Sequence, residues 1–144
     1  MLFDSLLQSF TGRELIAAVM SPFVDMLDNQ RGNNYLNIMV QLLNRSANMP
    51  FTQQPEQVEA VKSRAFTLAE PFYAHLPDEV KISRLIMFGT LLFRSLVAYT
   101  QFDALPGPNP MGSKPVFVNV LLGALDRLIF APLSEETRQS LDAQ

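Results

Sequence analysis

The sequence predicts an all-α protein, an antiparallel helical bundle, and three observations carry that reading. Apolar residues recur at spacings of three and four almost everywhere, and no stretch sustains a period-two alternation. Prolines and glycines fall at helix starts and in connecting segments, where they punctuate helices. At 144 residues, with 48% hydrophobic and only 17% charged, the chain can build one real core and is excluded from the disordered class. Residues 1–144 are read as a single helical domain.

Residues 2–10 read as the last turns of a connecting helix, with Leu2, Phe3, Leu6, Leu7 and Phe10 apolar. Thr11-Gly12-Arg13-Glu14 fits a capping box, the Thr11 hydroxyl holding an orphan N–H while Glu14 reaches back. The helix it opens puts Leu15, Val19, Phe23 and Met26 on one stripe. Pro22 lacks an N–H and is expected to kink or split it. Residues 28–34 read as a polar turn. A helix from about Asn34 to Asn48 follows, with Tyr35, Ile38, Met39 and Leu42 on its apolar face. Its other face carries Asn37, Gln41, Asn44 and Asn48, an uncharged stripe that suits either solvent or the lining of a pocket.

Pro55 and Glu56 open a third amphipathic helix, whose stripe is Val58, Val61, Ala65, Leu68 and Phe72, and Pro71 bends or ends it. Leu76-Pro77-Asp78-Glu79 is a helix-start signal, and a helix over about 78–102 follows, apolar nearly all round between Leu85 and Tyr99. Residues 103–114, with their prolines and glycines, form a loop. Pro115 opens the last long helix, to about Ala131, which is also apolar on most faces (Val116, Phe117, Val120, Leu121, Leu125, Leu128, Ile129). Ser134 caps a short polar terminal helix.

Two consecutive helices without a polar face need covering on more sides than one core layer provides. A second copy of the same pair would cover them, forming a two-fold four-helix bundle. Gly89 and Gly123 lie mid-helix, at a cost of about 1 kcal/mol each relative to Ala. Either a close helix crossing there offsets that cost, or the glycines are simply tolerated.

Composition excludes several functions. With no cysteine there is no disulfide, thiolate metal site or cysteine nucleophile, and the single histidine, His75, makes no multi-histidine site in one chain. The net charge of −3 argues against a nucleic-acid surface. The N-terminus carries Asp4 where a secretory leader would be basic. The longest apolar run, Leu85 to Tyr99, is broken by Gly89, Thr90, Arg94 and Ser95 and is shorter than the roughly 20 residues of a span. The expectation is therefore a cytoplasmic protein with no membrane contact, no cofactor and no metal. No phosphate-cradling glycine loop and no nucleophile elbow occurs, so no catalytic residue is assigned. Arg94, in an apolar stretch, calls for a carboxylate, with Asp126 in the last long helix the natural partner within or between subunits; the alternatives are that it anchors the anionic head of a ligand or simply snorkels to solvent. Tyr35, Met39, Phe66, Tyr73 and Phe88 either form plain core or converge on an adaptable apolar pocket.

Several motifs occur together in order. A helix with a proline in its middle spans Ile16 to Val24 around Pro22. Gly32 leads into an apolar helix through Tyr35-Leu36 to Leu42-Leu43. Leu76-Pro77-Asp78-Glu79 precedes Arg84 and Phe88-Gly89, and a Pro-rich gap precedes a final apolar helix ending near Ala131-Pro132. The ensemble resembles the C-terminal, effector-binding and dimerisation domain of TetR-family transcriptional regulators, over nearly the whole chain. The resemblance implies a small apolar or amphipathic effector held between helices, and a homodimer formed through the last two long helices. It also implies that occupancy is passed to N-terminal helix-turn-helix domains, so that effector and operator binding are coupled.

That DNA-binding domain is not in this chain, which is read as a fragment of a regulator or a free-standing effector domain that reaches DNA only through the missing part. Candidate pocket residues are Tyr35, Met39, Phe66, Tyr73, Phe88 and Leu92. Candidate dimer residues are Phe93, Arg94 and Val97 on one helix, with Val116, Val120, Gly123 and Ala124 on the other. Two competing readings stand beside this one. The first is a dimeric helical interaction module without a pocket. The second is an enzyme using Glu70, His75 or Asp78 near the Leu-Pro turn.

Overall fold

The computed structural model describes residues 11–45 and 74–144 together with Thr67, Glu70 and Pro71, and within the first stretch only the backbone beyond Gln41. All regular structure among these residues is helical: α1 (Gly12–Asp25), a 3₁₀ turn (Met26–Asp28), α2 (Gln30–Arg45), α3 (Asp78–Asp103), α4 (Lys114–Phe130) and α5 (Glu135–Asp142). The expected helical tail over 2–10 and most of the expected helix from Pro55 to Phe72 lie outside the described residues.

Thr11 caps α1 as its sequence requires, its hydroxyl accepting from the Glu14 N–H at 3.2 Å. Pro22 does not split the helix, which continues to Asp25. Pro22 and Ala18, the residue whose carbonyl loses its donor, are both exposed, so the interruption falls on the solvated side. The buried stripe of α1 is Ile16 and Met20, one position on from the expected Leu15 and Val19, which are only half-buried.

The polar run after α1 is shorter as a turn than expected, because its second half is already helix. Asn29 supplies the cap: its Oδ1 accepts from the Gly32 N–H at 2.6 Å. Gly32 is required there, since a Cβ would stand 2.6 Å from the Met26 Cα. On α2, Leu36 and Met39 are buried, whereas Ile38, expected on the apolar face, is 56% exposed.

Helices α3 and α4 run antiparallel, and their contacts fix the register. At one end the Arg84 guanidinium donates Nη1–H to the Ile129 carbonyl at 2.9 Å. At the other, Tyr99 stacks on Phe117 with ring centroids 4.5 Å apart and planes 16° from parallel. The loop between them is tied back onto α3: Asn109 donates Nδ2–H to the Tyr99 carbonyl at 3.1 Å and its Oδ1 accepts from the Met111 N–H at 2.9 Å. Gly107 and Gly112 both take φ +89°, a left-handed backbone that suits glycine.

Helix α4 lies between α1 and α3, and α3 also packs against α2. The core follows from that order. Leu36, Leu96 and Leu125 are fully buried, with Met20 and Leu92 nearly so, and each such side chain stabilises the fold by about 1.5–3 kcal/mol. Phe23 of α1 meets Phe93 of α3 edge to face, with centroids 5.1 Å apart and planes at 84°. Ser134 caps α5 through the Thr137 N–H at 3.2 Å.

By length and composition alone, the helical stretches Asp78–Asp103 and Lys114–Asp142 are apolar enough to cross a membrane. The run that Gly89, Thr90, Arg94 and Ser95 were expected to disqualify therefore passes that test. In the second stretch regular α-helix ends at Phe130, because Ala131 turns extended (φ −62°, ψ 142°) ahead of Pro132. Helix α4 itself is about 26 Å long, short of a hydrocarbon core of about 30 Å.

Candidate ligand seam and dimer face

Four of the six candidate pocket residues lie on α2 and α3, two helices that pack against each other. Tyr35 and Met39 project from α2, and Phe88 and Leu92 from α3, the helix against which α2 packs. Their i, i+4 spacing puts each pair on one face of its helix. Met39 and Leu92 are buried in the common core, with Tyr35 and Phe88 half-buried against it. Phe66 and Tyr73 lie outside the described residues. Burial raises the Tyr35 phenol above its ordinary pKa, because the ionised form is poorly solvated there. It therefore stays a neutral hydrogen-bonding group throughout the physiological range. Two residues before it, the Asn33 side-chain Oδ1 is buried without a hydrogen-bond partner.

A separate small cleft is lined by Leu76, Lys81, Arg84, Leu85 and Ile129, and it holds about 10 Å³, the room of one water. It contains none of the candidate pocket residues. Arg84 serves a structural end there, satisfying a carbonyl in the last turn of α4, where a cation is favoured by the helix dipole.

The candidate dimer residues divide between the inside and the outside of the chain. Phe93 (9% exposed) and Val97 (6% exposed) belong to the chain's own core, so they leave the expected outer face. The physical reason is rotational: Phe93 is spent on Phe23, and Val97 lies one turn further along the same side of α3. Arg94, between them in sequence, is exposed. On α4, Val116 and Val120 are 53% and 66% exposed, Ala124 is exposed and Gly123 half-buried. A Cβ at Gly123 would have Arg13 Nη1 at 4.0 Å as its nearest neighbour, so among the described residues no close helix crossing occupies that position. On α3, Ile82, Ile86 and Met87 are large apolar side chains left exposed as well.

The expected Arg94–Asp126 ion pair is not formed among the described residues. The contacts of Arg84 with Ile129 and of Tyr99 with Phe117 set Asp126 alongside the Met87–Thr90 turn of α3, about one turn short of Arg94. Exposure of Arg94 also removes the need for a buried carboxylate.

The amide stripe is partly spent locally, since exposed Asn37 donates its Nδ2–H to the Asn33 carbonyl at 2.9 Å. Gln41 is exposed, and the side chains of Asn44 and Asn48 lie outside the described residues. Glu70, His75 and Asp78, the residues of the enzyme reading, are all exposed and form no enclosed cluster among the described residues. No group of three metal-ligating side chains occurs among them either.

Sequence reasoning missed Gly12 and Gly32 as close-contact positions, Arg84 as the partner of the α4 terminus, and Asn109 as the clasp of the loop. The first two carried a signal, because a glycine in a helix's first turns is costly unless another backbone or ring needs the space. No family model, no curated protein and no solved structure matches this chain.

Proposed function

We propose that this chain is the effector-binding and dimerisation domain of a TetR-like transcriptional regulator. It acts by binding rather than by catalysis, pairs with a second copy through α3 and α4, and passes occupancy to a DNA-binding domain outside the chain. The observation that carries the reading is the outer face of the antiparallel α3/α4 pair. Val116 and Val120 are 53% and 66% exposed toward the start of α4, with Ala124 and Gly123 beside them, and Ile82, Ile86 and Met87 are exposed on α3, level with the far end of α4. A protein of this size rarely leaves so much large aliphatic surface on two adjoining helices to water. An isologous pair of such faces buries both.

The effector belongs at the α2/α3 seam, between Tyr35 and Met39 on one side and Phe88 and Leu92 on the other. Its walls suit a small apolar or amphipathic molecule. Tyr35 offers a polar contact that would orient it. In this reading the two apolar helices are used on core and partner copy instead of on a bilayer, and the protein works in the cytoplasm.

A second reading, a dimeric interaction module without a pocket, is favoured by the tight burial of Met39 and Leu92, which are 6% and 2% exposed. Native mass spectrometry of the purified chain, followed by extraction of any retained small molecule, separates the two. An added mass that is lost on Phe88→Ala supports the effector site. A bare dimer that stays bare against a panel of amphipathic compounds supports the module.

A further inference from the structure

Helix α1 and the 3₁₀ turn that follows it touch α4 at its two ends. At the start of α1 the Phe130 ring lies against the backbone of Gly12, so closely that a Cβ there would stand 2.6 Å from Cε2 and 2.9 Å from Cδ2 and Cζ. At the far end, Lys114 donates from Nζ to Asp28 Oδ1 at 2.6 Å. Sixteen residues on from Gly12 is Asp28, and sixteen back from Phe130 is Lys114, so one antiparallel register joins both contacts. They are about 24 Å apart along the helix axes. Between them the two helices pack together, and Ile16 and Met20 of α1 are buried in the same core as Leu121 and Leu125 of α4.

We propose that α1 is clasped lengthwise to α4 and moves with it as one body, so that a shift of α4 is delivered to the start of α1 rather than absorbed between them. The Gly12–Phe130 end holds the clasp, because a flat ring against bare backbone admits no sliding without leaving a void. The Lys114–Asp28 end sets the register and contributes little holding strength, since both side chains are well exposed. Phe130 is fixed in turn, because Arg84 holds the preceding carbonyl, that of Ile129, at 2.9 Å. The inference is independent of whether the seam between α2 and α3 binds an effector.

Native-state amide hydrogen exchange on the full chain tests it. In the wild type, amides at Ile16–Met20 and at Leu121–Leu125 are expected to show protection within about threefold of each other. Phe130→Ala should speed exchange at Ile16–Met20 at least tenfold while amides around Leu96 keep their rates. Lys114→Ala should change Ile16–Met20 by less than threefold. Should Phe130→Ala not fold, Phe130→Leu is the milder variant, with an expected threefold or greater gain confined to the same amides. Exchange of Ile16–Met20 more than tenfold faster than Leu121–Leu125 in the wild type would overturn the proposal. So would indifference of Ile16–Met20 to both Phe130 variants.

Discussion

Arg84 and Ile129, forty-five residues apart, are joined by a 2.9 Å hydrogen bond from guanidinium to carbonyl that fastens the start of α3 to the end of α4. The acceptor belongs to a helix C-terminus, where carbonyls lack intrahelical donors and the dipole favours a cation. Arg84→Met keeps the length of the side chain and removes the donor. It should cost about 1.5–3 kcal/mol, the range for a hydrogen bond to a charged group. Lysine at the same position should recover part of the loss, as a charge without the planar fork. Urea unfolding of the three proteins checks both steps.

Leu92 lies on the seam offered as the effector site, and it is also 2% exposed in the core. Truncating it to alanine removes buried methyl groups and leaves a cavity, at a cost of about 2–5 kcal/mol in denaturant unfolding. The same variant enlarges the seam. If the seam takes an apolar molecule, small aromatic compounds should raise the melting temperature of Leu92→Ala more than that of the wild type.

Gly32 reverses an ordinary rule. In most helix interiors Gly→Ala stabilises by up to about 1 kcal/mol. Here a Cβ would collide with the Met26 backbone, 2.6 Å from its Cα, and backbone cannot swing aside as a side-chain tip can. Gly32→Ala should therefore destabilise, by about 1–3 kcal/mol as overpacking usually does. A gain in stability would mean that the 3₁₀ turn sits further from α2 than described.

Tyr35 provides the pH dependence. Burial raises its pKa above the ordinary value of about 10, so the folded state prefers the neutral phenol. Its contribution is complete below the unfolded pKa and is lost as pH rises from about 10 through the higher folded value. Absorbance titration of the wild type beside Tyr35→Phe should show the Tyr35 phenol ionising above the exposed-phenol range. Tyr35→Phe should reduce the loss of stability above pH 10, and an unchanged alkaline profile would remove the seam burial from the account.

The parts of the fold legible in sequence were those written in local chemistry. Pro77 with Asp78 and Glu79 marks the start of α3, Thr11 and Ser134 mark caps, and the Pro- and Gly-rich run marks the loop before α4. What sequence could not resolve was rotation about the axis of a helix apolar on every side. Nothing in the pattern of α3 distinguishes Phe93, committed inward to Phe23, from Met87, left outside on another side of the helix, because both are large and apolar. The start of α2 was obscured for a different reason. Asn29 and Gly32 look like turn residues, yet one is a cap and the other makes room for Met26. Asp126 was matched to Arg94 by charge alone, and only the α3/α4 register separates them.

Sedimentation equilibrium of the wild type and Val120→Glu tests the dimer face most directly. Val120 is 66% exposed and contacts little of its own core, so the substitution should leave unfolding stability of the monomer within about 0.5 kcal/mol. A wild-type dimer at micromolar concentration and a folded monomer for Val120→Glu are expected, because two carboxylates would meet across an apolar two-fold contact. A wild type that is monomeric, or a Val120→Glu protein that remains as dimeric as the wild type, would contradict pairing through α3 and α4.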